Sequence, residues 1–539
     1  MKKLLTRLAI LAFVPMLAIG FLPATTNAMH TTEAFEMITL GSTGLGGNAH
    51  SERARISADG TKVVFQSYAN DLIDGITTNS YQQVYLYDTI TQTTQLVSAG
   101  PLGVGGGCGS MEPAISADGK WVVYRGCATD LIDGMTTSGN HNIFLYNIAT
   151  GATQLITTGP LGDGGNCTSY EPEISANGSR ISFYSCSTDL IGGMTTTYGN
   201  IFLYDVPSAT TNLVTKGPAG LGGNTNGRAA IISADGRYVV FSTQATDLID
   251  GITTIPVCNV FIYDSLTDKM TLVTRGPFGD GVNNGETTPS DISFDNSFVV
   301  FGTKATDVID GLTTNGYRNL YLYDIATEET TLLTAGPSGV GGDGDSSAPF
   351  ISHDRTTVSF VSKATDLIPG LTTNGEQQIF TYDIATGTIS LLTAGPLGIG
   401  ADGYSYRASM SADGSTVAFH SYASDLIDDF APNSQSQIYL YRKTTFCDFT
   451  FDPQNGAAPW TEEDVMHCRV DQPTDPVRGG YIFNGWWTAP TGGKLWNFND
   501  RATDDVTLYA QWIAIPGAPD AGVSPGLSRD LSNRGKDEL

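Results

Sequence analysis

Short apolar runs alternate with polar, glycine-containing turns through most of the chain. In residues 111–159, MEPAIS leads into the turn ADGK and WVVYRG follows; after a long loop, NIFLYNI and TQLITTG flank the turn TGA. Alternating apolar residues bounded by such turns are typical of β-hairpins. The pattern predicts four strands in this stretch, and no amphipathic helix of ordinary length is indicated beyond the first 28 residues.

The four-strand pattern is repeated seven times. A segment ISADG or a variant of it marks each copy, and successive copies are 59, 59, 58, 60, 59 and 59 residues apart. Seven such units without crossover helices predict an all-β fold, a seven-bladed β-propeller. The seventh copy lacks a fourth strand, and we predict that residues 36–41 supply it and so remove the open sheet edge. The copies are marked by Ile56, Ile115, Ile174, Ile232, Ile292, Ile351 and Met410.

Each copy also carries an acidic phrase, such as ATDLIDGMTT at 128–137. Its first aspartate is present in all copies, whereas the one three residues later is replaced by Gly192 and Pro369 in two of them. A structural turn needs only the first, accepting from backbone amides two or three residues on, and we favour this interpretation. A ring of weak Ca²⁺ sites is the alternative. The constant residues are Asp71, Asp130, Asp189, Asp247, Asp307, Asp366 and Asp425.

The spacing of the cysteines predicts disulfides. Cys108 and Cys127 lie seven residues before and twelve after their marker isoleucine, and Cys167 and Cys186 have the same offsets. Each pair falls within bridging reach across a hairpin, and oxidised pairs suit an exported protein. Two pairs of free, buried thiols are the alternative.

The extra length of each copy lies in two loops that map to one face of a propeller, where binding surfaces gather. The formal net charge of −27 makes nucleic acid an unfavourable partner, and glycans or proteins fit better. Five tyrosines in these loops are candidate anchors for a partner, with ordinary loop tyrosines as the alternative. They are Tyr81, Tyr198, Tyr317, Tyr404 and Tyr406.

No catalytic motif is present: the sequence lacks HExxH, GxSxG and zinc-type cysteine spacing. We therefore expect a binding protein rather than an enzyme, with no cofactor apart from the Ca²⁺ alternative. A polysaccharide lyase or hydrolase remains the second hypothesis. It requires a cluster of His, Arg or carboxylate side chains near the propeller axis, which the sequence does not reveal.

The motif set ISADGxxVVF, IFLYD and TxLVT resembles the TolB-like, or WD40-like, repeats of bacterial propellers over roughly residues 35–445. This resemblance implies the fold and little about function, because propellers host binding modules, scaffolds and enzymes. A TolB-like periplasmic scaffold is thus a third functional hypothesis.

The sequence changes character near residue 446, where DPVRGGYIFNGWW and later LYAQW resemble the Listeria–Bacteroides repeat of internalin-type proteins. The resemblance implies a small β-grasp-like module found on bacterial surface and secreted proteins. Cys447 and Cys468 are expected to pair, which departs from the family and leaves Cys258 free. Trp486 and Trp512 are expected in the module's core, and Trp487 is the stronger candidate for sugar stacking.

These observations divide the chain into residues 1–28, a signal peptide; 29–445, the propeller; 446–513, the repeat-like module; and 514–539, a disordered tail. The terminal KDEL is read as coincidental because both resemblances are bacterial. We expect a secreted or cell-surface protein, a monomer without a membrane span in its mature part, that recognises a protein or glycan.

Overall fold

The computed structural model describes residues 30–516 apart from short gaps, and the statements below concern those residues. The gaps are 42–43, 77, 79, 136–138, 195–197, 218–219, 253, 277–278, 285, 313, 315, 372, 374, 396–397, 428–431, 467, 469, 499–501 and 503. The predicted signal peptide and nearly all of the predicted tail lie outside the described residues. In the described part, no helix has the length and hydrophobicity to cross a membrane.

Two compact units make up the described chain. The larger is Glu33–Lys443, and the smaller contains residues 444–516 together with 30–32. All regular elements in both are β-strands.

Six four-stranded antiparallel sheets follow one another in the larger unit, and within each sheet every strand pairs with the next in sequence. Each corresponds to one of the first six sequence repeats. The strands are β2 Ser51–Ile56, β3 Lys62–Ser67, β4 Gln83–Asp88 and β5 Thr93–Leu96; β6 Ser110–Ile115, β7 Trp121–Gly126, β8 Asn142–Asn147 and β9 Thr153–Leu155; β10 Ser169–Ile174, β11 Arg180–Ser185, β12 Asn200–Asp205 and β13 Thr210–Leu213; β14 Gly227–Ile232, β15 Tyr238–Thr243, β16 Asn259–Asp264 and β17 Lys269–Leu272; β18 Thr288–Ile292, β19 Phe298–Thr303, β20 Asn319–Asp324 and β21 Thr330–Leu332; and β22 Ser346–Ile351, β23 Thr357–Ser362, β24 Gln378–Asp383 and β25 Ile389–Leu391.

The seventh repeat forms a sheet with the N-terminal strand. Its own strands are β26 Ser405–Met410, β27 Thr416–Ser421 and the first part of β28 Gln437–Asp452, and β1 His30–Met37 pairs with β28. Just after β1, the Ile38 amide donates to the Ile438 carbonyl at 2.9 Å, the bond that Val97 makes to Val84 in the first sheet. The N-terminal segment therefore takes the fourth-strand position, as predicted, and its strand begins earlier than residue 36.

Each sheet packs against the next one along the chain, and β2 of the first sheet packs against β26 and β27 of the seventh. One buried cluster accordingly combines Ala54, Phe65 and Tyr85 with Ala418 and Ile438. Burying both faces of a sheet explains why the second and third strands are almost wholly apolar rather than alternating. The arrangement is propeller-like.

A stacked aromatic pair joins the second and third strands of every sheet. The two residues face each other across the strands, with ring centroids 5.5–5.8 Å apart. Cross-strand aromatic pairs stabilise a sheet beyond their burial, by about 0.5–1.5 kcal/mol each. The pairs are Phe65–Tyr85, Tyr124–Phe144, Phe183–Phe202, Phe241–Phe261, Phe301–Tyr321, Phe360–Phe380 and Phe419–Tyr439.

The smaller unit contains a mixed sheet. The last part of β28 pairs antiparallel with β29 Trp460–Met466 and parallel with β31 Val506–Ala514, which pairs with β30 Tyr481–Trp487. Trp486 is buried at its centre and Trp512 packs against the same core, as expected of structural tryptophans. Since the described residues of this unit contain no helix, the β-grasp-like label rests on the family resemblance alone.

We predict that Phe241→Ala lowers the free energy of unfolding by about 3–5 kcal/mol, because it leaves a cavity in a fully buried aromatic pair. Urea unfolding measures this. Leu266→Ala, at an exposed turn, is the control and should change it by less than about 0.5 kcal/mol. Equal effects of the two substitutions would contradict the role given to the pairs.

Candidate functional site

The two long loops of each repeat are joined by the constant aspartate of the acidic phrase. In the second repeat, the Gly107 amide donates to Asp130 Oδ1 at 3.0 Å, and Gly107 lies in the loop that precedes the sheet. The same bond, 2.9–3.1 Å long, joins the other six aspartates to a residue 23 or 24 positions earlier. The donors are Asn48, Asn166, Asn224, Asn283, Asp343 and Asp402.

This bond corrects the turn hypothesis in one respect. The carboxylate accepts from a backbone amide, as expected of a structural aspartate, but the amide belongs to the preceding loop and not to the aspartate's own turn. In every repeat but the second, whose donor is glycine, the clamp is reciprocal: the Asn166 side chain, for example, accepts from the Thr188 amide at 3.0 Å, next to Asp189. Because the two loops contact each other in every repeat, both lie on one face of the unit, which we call the loop face.

In the sixth and seventh repeats an aspartate replaces the asparagine of the clamp. Asp343 therefore lies against Asp366, and Asp402 against Asp425. Burial, and next the charge of the neighbouring carboxylate, raise the pKa of Asp366 and of Asp425. Among the described residues, no three His, Cys, Asp or Glu side chains are grouped to hold a metal ion. Asp428, which belongs to the Ca²⁺ alternative, lies outside them.

Three disulfides are present at the predicted pairs. Cys108–Cys127 and Cys167–Cys186 have Cα atoms 5.4 and 5.3 Å apart, and each links the loop before a sheet to the end of that sheet's second strand. Cys447–Cys468, with Cα atoms 4.9 Å apart, lies in the core of the smaller unit. Cys258 is the free cysteine of the described chain.

The predicted loop tyrosines fall into two groups. Tyr81, Tyr198 and Tyr317 lie just before the third strands of the first, third and fifth sheets and are each about half exposed. Tyr404 and Tyr406 lie together at the start of β26, with ring centroids 6.1 Å apart. The structure thus places four of the five in loops of the loop face, puts Tyr406 within β26 and not in a loop, and does not bring the five into one cluster.

A second feature, which the sequence did not reveal, is a ring of bulged residues on the first strands. Each first strand has a register shift, which in six sheets leaves an extra residue three positions before the marker residue and in the fifth sheet leaves Ser290, next to Pro289. Six of these residues have φ between 47° and 56° although none is glycine. This left-handed conformation costs about 1–2 kcal/mol for an L-residue. A β-bulge changes the direction in which the side chains of its strand point. The ring is Arg53, Glu112, Glu171, Ala229, Pro289, Ala348 and Arg407.

All seven ring residues line one cavity of about 470 Å³, which we call the axial pocket. Arg318 and Gln377, which immediately precede the third strands of their sheets, also line it, so the pocket opens toward the loop face. The charged side chains of the pocket differ from sheet to sheet, although the backbone repeats seven times. At the ring positions, arginines come from the first and seventh sheets, glutamates from the second and third, and small residues from the fourth to sixth, whereas Arg318 enters from a loop of the fifth sheet.

Most charged side chains around the pocket have partners. Arg55 Nη2 lies 3.3 Å from Glu173 Oε1, and Arg125 Nε lies 2.9 Å from Glu112 Oε2. Arg53 is 3.6 Å from the other oxygen of Glu112. The side chain of Arg407 makes no ion pair or hydrogen bond with any described residue.

The surroundings of Arg407 are cationic and partly aromatic. Desolvation by the surrounding protein, and next the charges of Arg53 and Arg55, lower the pKa of Arg407 to about 10. Behind it, His420 stacks on Tyr406 with ring centroids 5.2 Å apart. Burial and the charge of Arg407 lower the pKa of His420 to about 3, so the imidazole is neutral.

Asp291 lines a second cavity of about 120 Å³, which shares Arg55 and Glu173 with the axial pocket. Its carboxylate accepts from the backbone amides of Ile292 and Ile351 at 2.9 and 2.7 Å. Burial raises the pKa of Asp291 to about 7 despite these bonds. The equivalent residue of the seventh repeat is Ser409, whose hydroxyl accepts from Ile56.

A sequence signal for this site exists in the repeat alignment. The ring position varies from arginine to glutamate to alanine, while the marker residue three positions later stays apolar. A position that differs between repeats while its neighbours stay the same can give each sheet a different contact with a ligand. The bulge that turns these side chains inward leaves no such signal, because none of the residues is glycine.

Different parts of the chain are similar to different known proteins. Residues 448–511 match the Listeria–Bacteroides repeat domain. Internalin H of Listeria monocytogenes is 44% identical over 45 residues, which are 8% of this chain and 8% of that protein. The similarity to this relative is thus confined to a small part of each protein.

Solved structures similar to this chain include propellers. An oligogalacturonate lyase in complex with manganese is 15% identical, with a TM-score of 0.46 over 77% of this chain and 97% of that chain. The β-propeller domain of the Trilobed protease from Pyrococcus furiosus is 10% identical (TM-score 0.46; 73% and 94%). TolB from Acinetobacter baumannii is 14% identical (TM-score 0.34; 72% and 78%). Likenesses at this level carry no argument about function.

We predict that Asp130→Ala weakens the loop clamp, costing about 1 kcal/mol of stability, with faster hydrogen exchange at the Gly107 amide. Asp130→Asn keeps an acceptor oxygen and should be mild. Asp133→Ala, at an exposed site three residues on, is the control and should leave Gly107 protected. Loss of protection at residues 131–134 instead would restore the local-turn hypothesis.

We predict a second effect, on pH dependence, for Asp291→Asn. A carboxyl with a higher pKa in the folded state binds its proton more readily there, so its contribution to stability falls as pH rises through the interval from 3.8 to about 7. Relative to the native chain, the variant should therefore gain stability between pH 5 and pH 7 and change little above pH 8. Melting curves at these pH values check this. Identical pH slopes for the native chain, Asp291→Asn and the exposed-site control Asp74→Asn would refute it.

Proposed function

We propose that this chain is a secreted or cell-surface recognition protein in which the seven sheets form a closed, seven-bladed propeller. The loop face, with the axial pocket at its centre, contacts a protein or glycan, and no catalysis is required. The observation that carries the proposal is the charge asymmetry of the bulge ring on a framework that otherwise repeats its contacts seven times.

Several features support a location outside the cytoplasm. The internalin-like repeat and the three disulfides both suit an extracellular or surface protein. Two of the disulfides fix the loops of the second and third repeats, beside the acidic part of the ring. Fixing a binding loop before contact reduces the entropy lost on association.

An enzyme acting on a polysaccharide is the second candidate. The axial cluster of arginines and carboxylates is the kind of group that such an enzyme needs, and Asp291 has a pKa close to neutrality, as a general acid or base does. Turnover of acidic polysaccharides by the native chain, lost in Asp291→Asn, would favour this candidate over pure recognition.

The test of the proposal is binding of the full chain to glycan arrays and to intact cells. We expect binding, and we expect it to weaken about tenfold or more in the double variant Tyr81→Ala/Tyr317→Ala, because exposed aromatic residues often dominate an interface. Phe294→Ala is the matched control, an exposed aromatic residue in the short turn at the opposite end of the first strand.

Three results separate the possibilities. Loss in the tyrosine variant alone supports the loop face. Loss only in Trp487→Ala would assign recognition to the smaller unit. Equal binding by all variants, or no binding to any array or cell, would reject the proposal.

A further inference from the structure

The axial pocket contains a guanidinium that the protein itself does not neutralise. Arg407 is accessible to solvent within the pocket and, in the described chain, has no carboxylate or hydrogen-bond acceptor as partner. Because solvent reaches Arg407, the full cost of burying a charge does not apply, but the like charges of Arg53 and Arg55 lie close enough to disfavour its charged form. A cation left unpaired among other cations is therefore arranged for something other than folding.

Neighbouring arginines strengthen this imbalance. Arg53 lines the pocket from the adjacent sheet, and its nearest carboxylate oxygen, on Glu112, is 3.6 Å away. Glu112 makes its closer contact with Arg125, at 2.9 Å. The guanidinium groups of Arg407 and Arg53 therefore line neighbouring parts of the pocket, and the carboxylates of the protein neutralise their charge only in part.

The opposite wall leaves room for a ligand. The ring positions of the fourth, fifth and sixth sheets are Ala229, Pro289 and Ala348, which are small and uncharged. A volume of about 470 Å³ is within the range that small-molecule sites occupy, which is about 300–1,000 Å³. The body of a ligand can lie against this wall while its acidic group meets the arginines.

The count of charges indicates which anion fits. Four arginines and three glutamates line the pocket, and the two partners outside the lining, Arg125 beside Glu112 and Glu286 beside Arg318, cancel each other, so one positive charge remains in excess. A carboxylate supplies one charge and two oxygens in the planar geometry that guanidinium groups bind best. A phosphate brings more charge into a pocket that already contains three carboxylates.

We infer that the axial pocket binds a small carboxylate ligand, with its acidic group held by Arg407 and Arg53 and its body against Ala229, Pro289 and Ala348. This assignment deepens the proposed function, on which it rests, by naming the chemical class recognised at the centre of the loop face. It also accounts for the strained backbone of the ring, because strain of this kind is retained where it positions functional side chains.

The experiment uses the full chain and three probes: D-glucuronate, its uncharged methyl ester and inorganic phosphate. Titration calorimetry and thermal melting are measured with each. We expect glucuronate at millimolar concentrations to bind and to raise the melting temperature, and the ester not to. Phosphate should bind more weakly than glucuronate; tighter phosphate binding would overturn the assignment to carboxylates.

Variants test the residues. Arg407→Gln and Arg53→Gln should each weaken glucuronate binding by about tenfold or more, and Arg407→Lys should restore only part of it. Arg275→Gln removes an equal charge from an ion pair with Glu328 outside the pocket and should bind like the native chain. Without ligand, Arg407→Gln should melt at or above the native temperature, because it removes crowding between like charges; a structural arginine would give a lower value.

The inference fails if glucuronate does not bind, if the ester binds equally, or if Arg407→Gln binds as the native chain does. Such a failure leaves the proposed function standing when the native chain still binds cells through its loop tyrosines. If cell binding also fails, both are rejected.

Discussion

Burial of both faces of each sheet against its neighbours is the constraint on which the rest of the structure depends. It requires that the second and third strands be apolar on both sides, and the same stacked aromatic pair recurs there in all seven sheets. The apolar and aromatic positions of the second and third strands recur from repeat to repeat, whereas the bulged position of the first strands changes from arginine to glutamate to alanine. The charged ring lies at that bulged position.

The aspartate clamp extends this constraint to the loop face. It joins the loop before each sheet to the loop between the second and third strands, so the two cannot move independently without breaking a charge-assisted hydrogen bond. This explains why the first aspartate of the phrase is constant while the second, which has no such bond to a described residue in the second repeat, varies. The acidic phrase joins the two loops of each repeat and does not line the axial pocket.

The sequence predicted what depends on short-range pattern. The hairpin turns, the closing strand and the pairs Cys108–Cys127 and Cys167–Cys186 follow from alternation and repeat offsets. The partner of Asp130 did not follow, because Gly107 lies 23 residues away and only the fold brings them together. The axial ring was also missed, since a bulge built from arginine, glutamate and alanine looks like an ordinary strand.

The guanidinium groups of Arg407 and Arg53 in the axial pocket are left open for an anion. Crystals grown with sodium bromide test this, since anomalous scattering locates bound bromide without assuming a ligand. We expect an ordered bromide between Arg407 and Arg53 that is absent from crystals of Arg407→Gln. An axial pocket without bromide, while bromide is ordered elsewhere on the surface, would contradict it, and so would an unchanged peak in the variant.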